Sequence, residues 1–596
     1  MRVGVESHLG VSAPASVAAR DPARPDLGVL TRDFAGALRS FFDTVHAVME
    51  ANPAPIQRLQ ELAGQARTAP LSASEAEELK ALTAQAVRQG KAVAAVIGFF
   101  LKFKPYPTLE EIRRKGKLFQ PPFGPVLVVD GAAVRDVLER NQEFTVEPYG
   151  AEMRKVMSPA HNGGFSTFIL STDDTGLYDP DKRLLSAVCT RDDAVRITDV
   201  IHADCKRRVG AAVAAARASG AMTIDVVQTV ARYVPVTLGH RYLGVPVAAQ
   251  PGSFELTPEM IACYGTPIDG QPDSALTAND GVIPDERQMY LWIKAAFQHF
   301  FNNVQKDPVV QAQGFRACRQ LLAYLLREIG IQRARLTRRE PVEDTMLTRL
   351  VRFQLGQSAP TVARPADLDP RLVSDLRIAE HVMGTIVGAV AGQEEATSRV
   401  IDSLIRLKDG EYRGAASTPA QGTFEQARQC AVDVLSGVRV AEGCATLHKY
   451  AREALRLQPQ GEVLLRMCAR DGARIADSRP ISAGTLVFAS HGSAMKDVPN
   501  ADAFVLDRPR EHYLQYGWDR HTCLGQYVSP VVIVETMVAL LGLQDLGRAA
   551  ARAGEQEFPL ERRTGRLQLD DQNLYATTFL LQFVDSGTTR RFWPVT

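Results

Sequence analysis

The segment Tyr516-Gly517-Trp518-Asp519-Arg520-His521-Thr522-Cys523-Leu524-Gly525 sets one cysteine among turn formers and basic side chains. The apolar run 531–543 that follows reads as a buried helix. Nearby positive charge and the partial charge at a helix start both favour an ionised sulfur. The setting therefore suits a thiolate metal ligand, although on residue type alone a buried structural cysteine is the commoner reading. Gly517 and Gly525 carry no Cβ and let the backbone approach a flat group closely. Three other segments carry candidate chemistry. Glu453 and Arg456, three apart on a predicted helix over 441–457, share a face and can pair. A plain surface pair has the same spacing. Phe504-Val505-Leu506-Asp507-Arg508 comes shortly before the cysteine. Ala391-Gly392-Gln393-Glu394-Glu395 lies within a long helical pattern over 371–408, after the apolar residues Val382, Met383, Ile386, Val387 and Val390. A carboxylate late in a buried helix needs a partner or a polar cavity. Gly392 costs such a helix about 1 kcal/mol against Ala, which points to space beside it.

The elements that must position these residues are mostly helical. Helical patterns run over about 191–218, 222–239, 284–304, 310–334, 342–355, 371–408, 423–437 and 441–457. Short strands are expected at 126–129, 463–469, 485–489, 566–569 and 576–584, and Gly- and Asp-rich loops over 158–182. Helices with small segregated sheets make an α+β fold. Residues 1–28, with Pro14, Pro22 and Pro25, read as disordered or extended. Residues 29–104 read as a helical extension, with Leu30, Phe34, Leu38, Phe41 and Val45 at helical spacing. There, Ser72 and Glu75 form a possible capping box.

Taken together and in this order, the four segments resemble the cytochromes P450. Ala391-Gly392-Gln393-Glu394 resembles the family's A-G-x-(D/E) segment, Glu453 and Arg456 its E-x-x-R, Phe504 and Arg508 its Phe-to-Arg element, and Tyr516 to Gly525 its cysteine loop. The resemblance covers 105–596 and implies a haem domain there with the cytochrome P450 fold. It implies that Cys523 is the axial thiolate of haem b. It also implies that His521, Arg466 and Arg183 touch the propionates, with a solvated Arg183 as the open alternative. Glu453, Arg456 and Arg508 would form a network holding the loop. Glu394 and Glu395 are the candidate catalytic acids, with Glu394 expected inward. The family's Thr after the acid is missing: Glu395 stands there, and Thr397 is displaced by about 200° around the helix. Tyr516 and Asp519 replace Phe and Gly in the loop, and Pro530 falls early in the helix after it.

The expected reaction is insertion of one oxygen atom into an apolar, lipid- or terpenoid-like substrate. Electrons would come from a separate ferredoxin and ferredoxin reductase. The alternative is a peroxide-using or lipid-hydroperoxide-rearranging enzyme that needs neither. An aromatic group on one predicted helix (Tyr290, Trp292, Phe297, Phe300 and Phe301) belongs to the core or lines the substrate pocket. Composition narrows the remaining classes. Net charge is +1 over 596 residues, with no basic stripe, which argues against nucleic acid. The eight cysteines (189, 205, 263, 318, 430, 444, 468 and 523) show no C-x-x-C spacing, so neither a disulfide framework nor a zinc site is expected. The run 93–103 is too short to span a bilayer. A monomer in a reducing cytoplasm is the expectation.

Overall fold

A computed structural model describes residues 58–59, 61–62, 65–66, 69–85, 105–121, 124–161, 171–248, 284–303, 306–412, 422–549 and 578–595. Most of the expected N-terminal extension, the strand at 566–569 and the start of the strand expected at 576–584 lie outside these residues.

Elements are numbered along the chain. The first are α1 (Pro105–Lys115), β1 (Leu118–Phe119), β2 (Val126–Val128), α2 (Gly131–Glu139), β3 (Phe144–Thr145), α3 (Glu147–His161), α4 (Thr175–Val188) and α5 (Asp193–Ser219). Then come β4 (Thr223–Asp225), α6 (Val234–Leu238), α7 (Glu286–Phe297), α8 (Pro308–Thr337), α9 (Met346–Gln354), α10 (Asp375–Lys408), α11 (Phe424–Leu435) and α12 (Val440–Leu457). The last are β5 (Leu464–Cys468), β6 (Leu486–Ala489), α13 (His491–Ala494), α14 (Ser529–Leu541), β7 (Gln544–Arg548), β8 (Leu580–Val584) and α15 (Gly587–Phe592). The arrangement is α+β and mostly helical, as expected.

Two compact units divide these elements. The first holds the described residues up to Thr145 together with Gly461–Asp497. Its sheet has the order β1-β2-β6-β5-β3. Val126–Val128 are all buried, and they pair in parallel with β6 (Val126 beside Val487). Asp130 caps α2 by accepting from Ala133 N at 2.8 Å. Arg466 lies on β5 opposite Val487, buried, and its Nη1 donates to Leu465 O at 2.9 Å. The Ser72–Glu75 capping box is present and opens a helix over 73–85: Ser72 N donates to Glu75 Oε2 at 2.9 Å, and Glu75 N to Ser72 Oγ at 3.3 Å.

The second unit holds the described residues of Val146–Gln460, Val498–Phe558 and Tyr575–Thr596. α10 is its axis. This helix packs against α7, α8, α12 and α14 and is buried along most of its length. A separate sheet has the order β4-β8-β7. Trp593, beyond β8, seats its ring against two glycines: a Cβ at Gly210 or Gly542 would lie 3.0 Å from it.

Two sequence expectations change here. The region 158–182 was expected as loop, yet Thr175–Val188 is helical because Asp174 accepts from Gly176 N at 2.8 Å and starts it. The single helix expected over 222–239 is instead β4, a π-helical turn at Val227–Ala231, and α6. Asp225 makes the break: its Oδ1 accepts from Val227 N at 3.0 Å, Gln228 N at 3.2 Å and Phe579 N at 3.1 Å.

A buried ionic cluster joins α4 to the first turns of α10. Asp181 accepts from Arg377 Nη2, and Arg377 Nη1 donates to Glu380 Oε2 at 2.7 Å. His381 Nε2 stands 3.6 Å from Asp181 Oδ1. Burial pushes the Asp181 carboxyl up from 3.8 to about 6; Arg377 opposes the shift and Glu380 adds to it. Burial also keeps the His381 imidazole neutral by pushing its pKa well down. A carboxyl whose folded pKa is raised holds its proton longer in the native state than in the unfolded chain. Its contribution to stability is therefore complete below the unfolded value and is lost as pH rises through about 6. Urea unfolding between pH 4.5 and 7 should show this loss in the wild type and a flatter pH dependence in Asp181→Asn.

Candidate functional site

The cysteine loop is built from turns. Cys523 N donates to Tyr516 O at 2.9 Å, closing the loop on itself. Gly517 (φ 74°) and Asp519 (φ 54°) both take left-handed conformations. Asp tolerates this region better than most side chains, which explains how it stands where the resemblance led us to expect glycine. α14 starts only at Ser529, with Pro530 in its first turn, so its N-terminus contributes little at Cys523. The Gly525 N–H, 3.3 Å from Cys523 Sγ, is the nearer donor. The cysteine is accessible to solvent, yet burial pushes its thiol up, opposed by the Gly525 N–H and the Lys182 ammonium.

α4 grips this loop. Tyr178 Oη donates to Arg520 O, and Lys182 Nζ donates to Thr522 O at 3.0 Å. Asp179 Oδ1 lies 2.7 Å from Arg520 Nη2, and the Arg520 guanidinium sits 4.3 Å over the Tyr178 ring. His521 meets Tyr178 edge-on at 4.7 Å, and its Nε2 lies 2.7 Å from Asp173 Oδ1. None of these α4 partners was anticipated, because the region was read as loop. The Tyr178, Asp179 and Lys182 spacing on one helix was the available signal.

Glu453, Arg456 and Arg508 come together around one carboxylate. Glu453 is fully buried and accepts from Arg456 Nε and Nη2, Arg508 Nε and Val505 N, each at 2.9 Å, and from Tyr513 Oη at 3.2 Å. The outer nitrogens of both arginines donate to the carbonyls of Pro499, Asn500, Ala501 and Ala503. A segment with little regular structure is thereby fixed.

α10 carries an open lane. Gly384, Thr385, Gly388, Ala389 and Gly392 are accessible on a helix that is otherwise buried on either side of them. A Cβ added at Gly388 or Gly392 would meet nothing within 4 Å. At about 100° per residue, Glu395 continues this lane and Glu394 lies about 200° from Gly392, on the far side. Both glutamates expected as catalytic acids are buried, on different faces of α10. Glu394 (1% exposed) accepts from Tyr290 Oη at 2.9 Å, Lys294 Nζ at 2.7 Å and Arg232 Nε at 3.2 Å. Its partners come from α7 and the π-helical turn before α6. Glu395 (2% exposed) accepts from Arg399 Nε at 2.5 Å; burial pushes its carboxyl up, and Arg399 opposes this. Tyr290, Trp292 and Phe300 are core residues, whereas Phe297 and Phe301 are partly buried beside Tyr149.

No family model matches the sequence. The curated linoleate diol synthase of Gaeumannomyces graminis is 35% identical over 211 residues, 32% of this chain and 18% of that protein. A bifunctional dioxygenase–epoxy alcohol synthase of Fusarium oxysporum is 30% identical over 116 residues, 19% of this chain and 9% of that protein. The chain thus spans less than a fifth of the length of either. Among solved structures, cytochrome P450 CYP109Q5 from Chondromyces apiculatus superposes with a TM-score of 0.52 at 17% identity, covering 81% of this chain and 96% of that one. P450BioI, in complex with acyl carrier protein bearing hexadec-9Z-enoic acid, gives 0.53 at 15% identity, covering 81% and 99%. The chain has the cytochrome P450 fold.

Cytochromes P450 hold haem, and Cys523 fits an iron ligand: its sulfur is accessible, takes an N–H bond from Gly525 and faces the Lys182 ammonium. Among the described residues no three His, Cys, Asp or Glu side chains converge on a metal position. The other residues implied by the P450 resemblance are placed unevenly. Arg183 is 70% exposed and pairs loosely with Asp367 at 3.5 Å, so the solvated alternative describes it. Lys182 is the basic side chain of α4 that reaches the loop. His521 is held by the Asp173 carboxylate, and Arg466 belongs to the sheet of the first unit.

Two outcomes follow for this site. Glu453→Ala leaves two buried guanidinium groups without their anion and should cost about 3–5 kcal/mol in chemical denaturation. Gly392→Ala meets open space and should raise stability by up to about 1 kcal/mol, while Gly392→Leu should fill the lane and weaken the spin-state response to apolar ligands.

Proposed function

We propose that the chain is a haem-thiolate oxidoreductase, holding haem b through Cys523, that rearranges lipid hydroperoxides without a reductase. One observation carries this reading: on the lane side of α10, where the family resemblance led us to expect a threonine hydroxyl, stands the buried carboxyl of Glu395 bonded to Arg399. When bound, a thiolate-ligated haem supplies cleavage of an O–O bond. A hydroperoxide already contains that bond. Its isomerisation conserves every atom and needs no outside electrons, only a proton moved locally. Glu395, with its carboxyl pushed up by burial, can hold that proton at Oε and return it, while Arg399 steadies the ionised form. Gly388 and Gly392 leave room for a chain of methylenes along the helix. Glu394, engaged by two cations and a phenol, acts as a strut between α10 and α7. The names of the two fungal relatives, and the unsaturated acyl chain in the P450BioI complex, support an unsaturated lipid as substrate. The hydroperoxide would come from a preceding dioxygenation step.

The purified haem-loaded chain should consume unsaturated fatty acid hydroperoxides without NADPH and give products of unchanged mass. Glu395→Gln should slow this by about 10–100-fold, and Cys523→Ala should abolish it. Oxygenation of the parent lipid only when NADPH, ferredoxin and ferredoxin reductase are supplied would overturn the proposal in favour of the monooxygenase reading.

A further inference from the structure

The residues immediately before Cys523 are held from one side by α4: Arg520 through Tyr178 and Asp179, Thr522 through Lys182. The loop cannot set its own shape. Its backbone bonds are single turns, and two of its residues are left-handed. The position of α4 therefore decides where the sulfur lies and how strongly Lys182 acts on it. α4 is fixed in turn by buried charge. Asp181, one residue from Lys182, accepts from Arg377 Nη2 on α10, and Arg377 also donates to Glu380. At the far end of α4, Val188 O accepts from Arg349 Nη1 at 2.6 Å, and Arg349 is itself held by Asp193 and Asp344.

We propose that Asp181 and Arg377 are positioning residues for the Cys523 ligand: their buried ion pair seats α4 against the start of α10, and α4 transmits that seating to the loop through Tyr178 and Lys182. The inference rests on the reading of Cys523 as the haem ligand. An ion pair in a dry interior is directional only while both partners are present, since removing one leaves a buried charge that draws in water or shifts the helix. Such a shift would first break the Lys182 bond to Thr522, which spans two flexible partners.

The test compares wild type, Asp181→Asn, Arg377→Lys, Tyr178→Phe and the Asp181→Asn/Tyr178→Phe double variant. In the haem-free chain, amide exchange at Thr522 and Cys523 should accelerate by about tenfold or more in Asp181→Asn. In the haem-loaded chain, the ferrous–CO spectrum should lose part of its red-shifted thiolate band in both Asp181→Asn and Arg377→Lys, the milder change should one variant fail to fold. The double variant should be no worse than the worse single variant, because both act through one helix. Lower thermal stability with unchanged loop exchange and an unchanged CO spectrum would overturn the proposal, as would strictly additive effects in the double variant. A wild-type chain without the thiolate band would instead remove the ligand reading, and the exchange data would still report on the α4 link.

Discussion

A single buried carboxylate organises the segment that leads to the cysteine loop. Glu453, fully buried, takes five hydrogen bonds, from two guanidinium groups, a phenol and a backbone amide. An ionised acid at that depth is tolerated only when its lone pairs are filled, and then it is stiff. Because the arginines also reach the carbonyls of residues 499–503, the carboxylate acts on the backbone as a hub would. A chain stretch with hardly any helix or strand is held as firmly as a core element.

α10 solves a different problem. It must be buried on several sides and yet leave room along one stripe. Small residues at 384, 385, 388, 389 and 392 create the room, and adjacent glutamates close the stripe in opposite ways. Glu394 turns away and is neutralised by cations from other elements, while Glu395 stays on the stripe and is neutralised from its own helix. A difference of about 100° between neighbours is enough to give two chemically similar residues separate duties.

Much of this was readable from the residues. The space at Gly392 and the capping box at Ser72 follow from spacing and residue type, whereas the joining of Arg508 to the Glu453–Arg456 pair came from the family resemblance. What escaped reading depends on distant partners. α4 was missed because Gly, Asp and Pro dominate its start, and only the Asp174 cap and its packing make it helical. The partners of Glu394 were not foreseen because Tyr290, Lys294 and Arg232 lie far from it in sequence. Arg183 and Lys182 differ by one position, and which of them meets the loop is set by the rotation of α4, a quantity that no local pattern encodes.

The three-stranded sheet carries a consequence for how the protein comes into being. β8, residues 580–584, is its middle strand, and one of its two neighbours, β4, lies at residues 223–225. A nascent chain emerging from the ribosome cannot close this sheet until β8 has been made, nor seat Trp593 against Gly210 and Gly542 before Trp593 itself is made. Until then β4 waits without its partner strand. Closure of this sheet thus waits for residues far along the chain, and a chain cut short before β8 lacks the strand that joins β4 to β7.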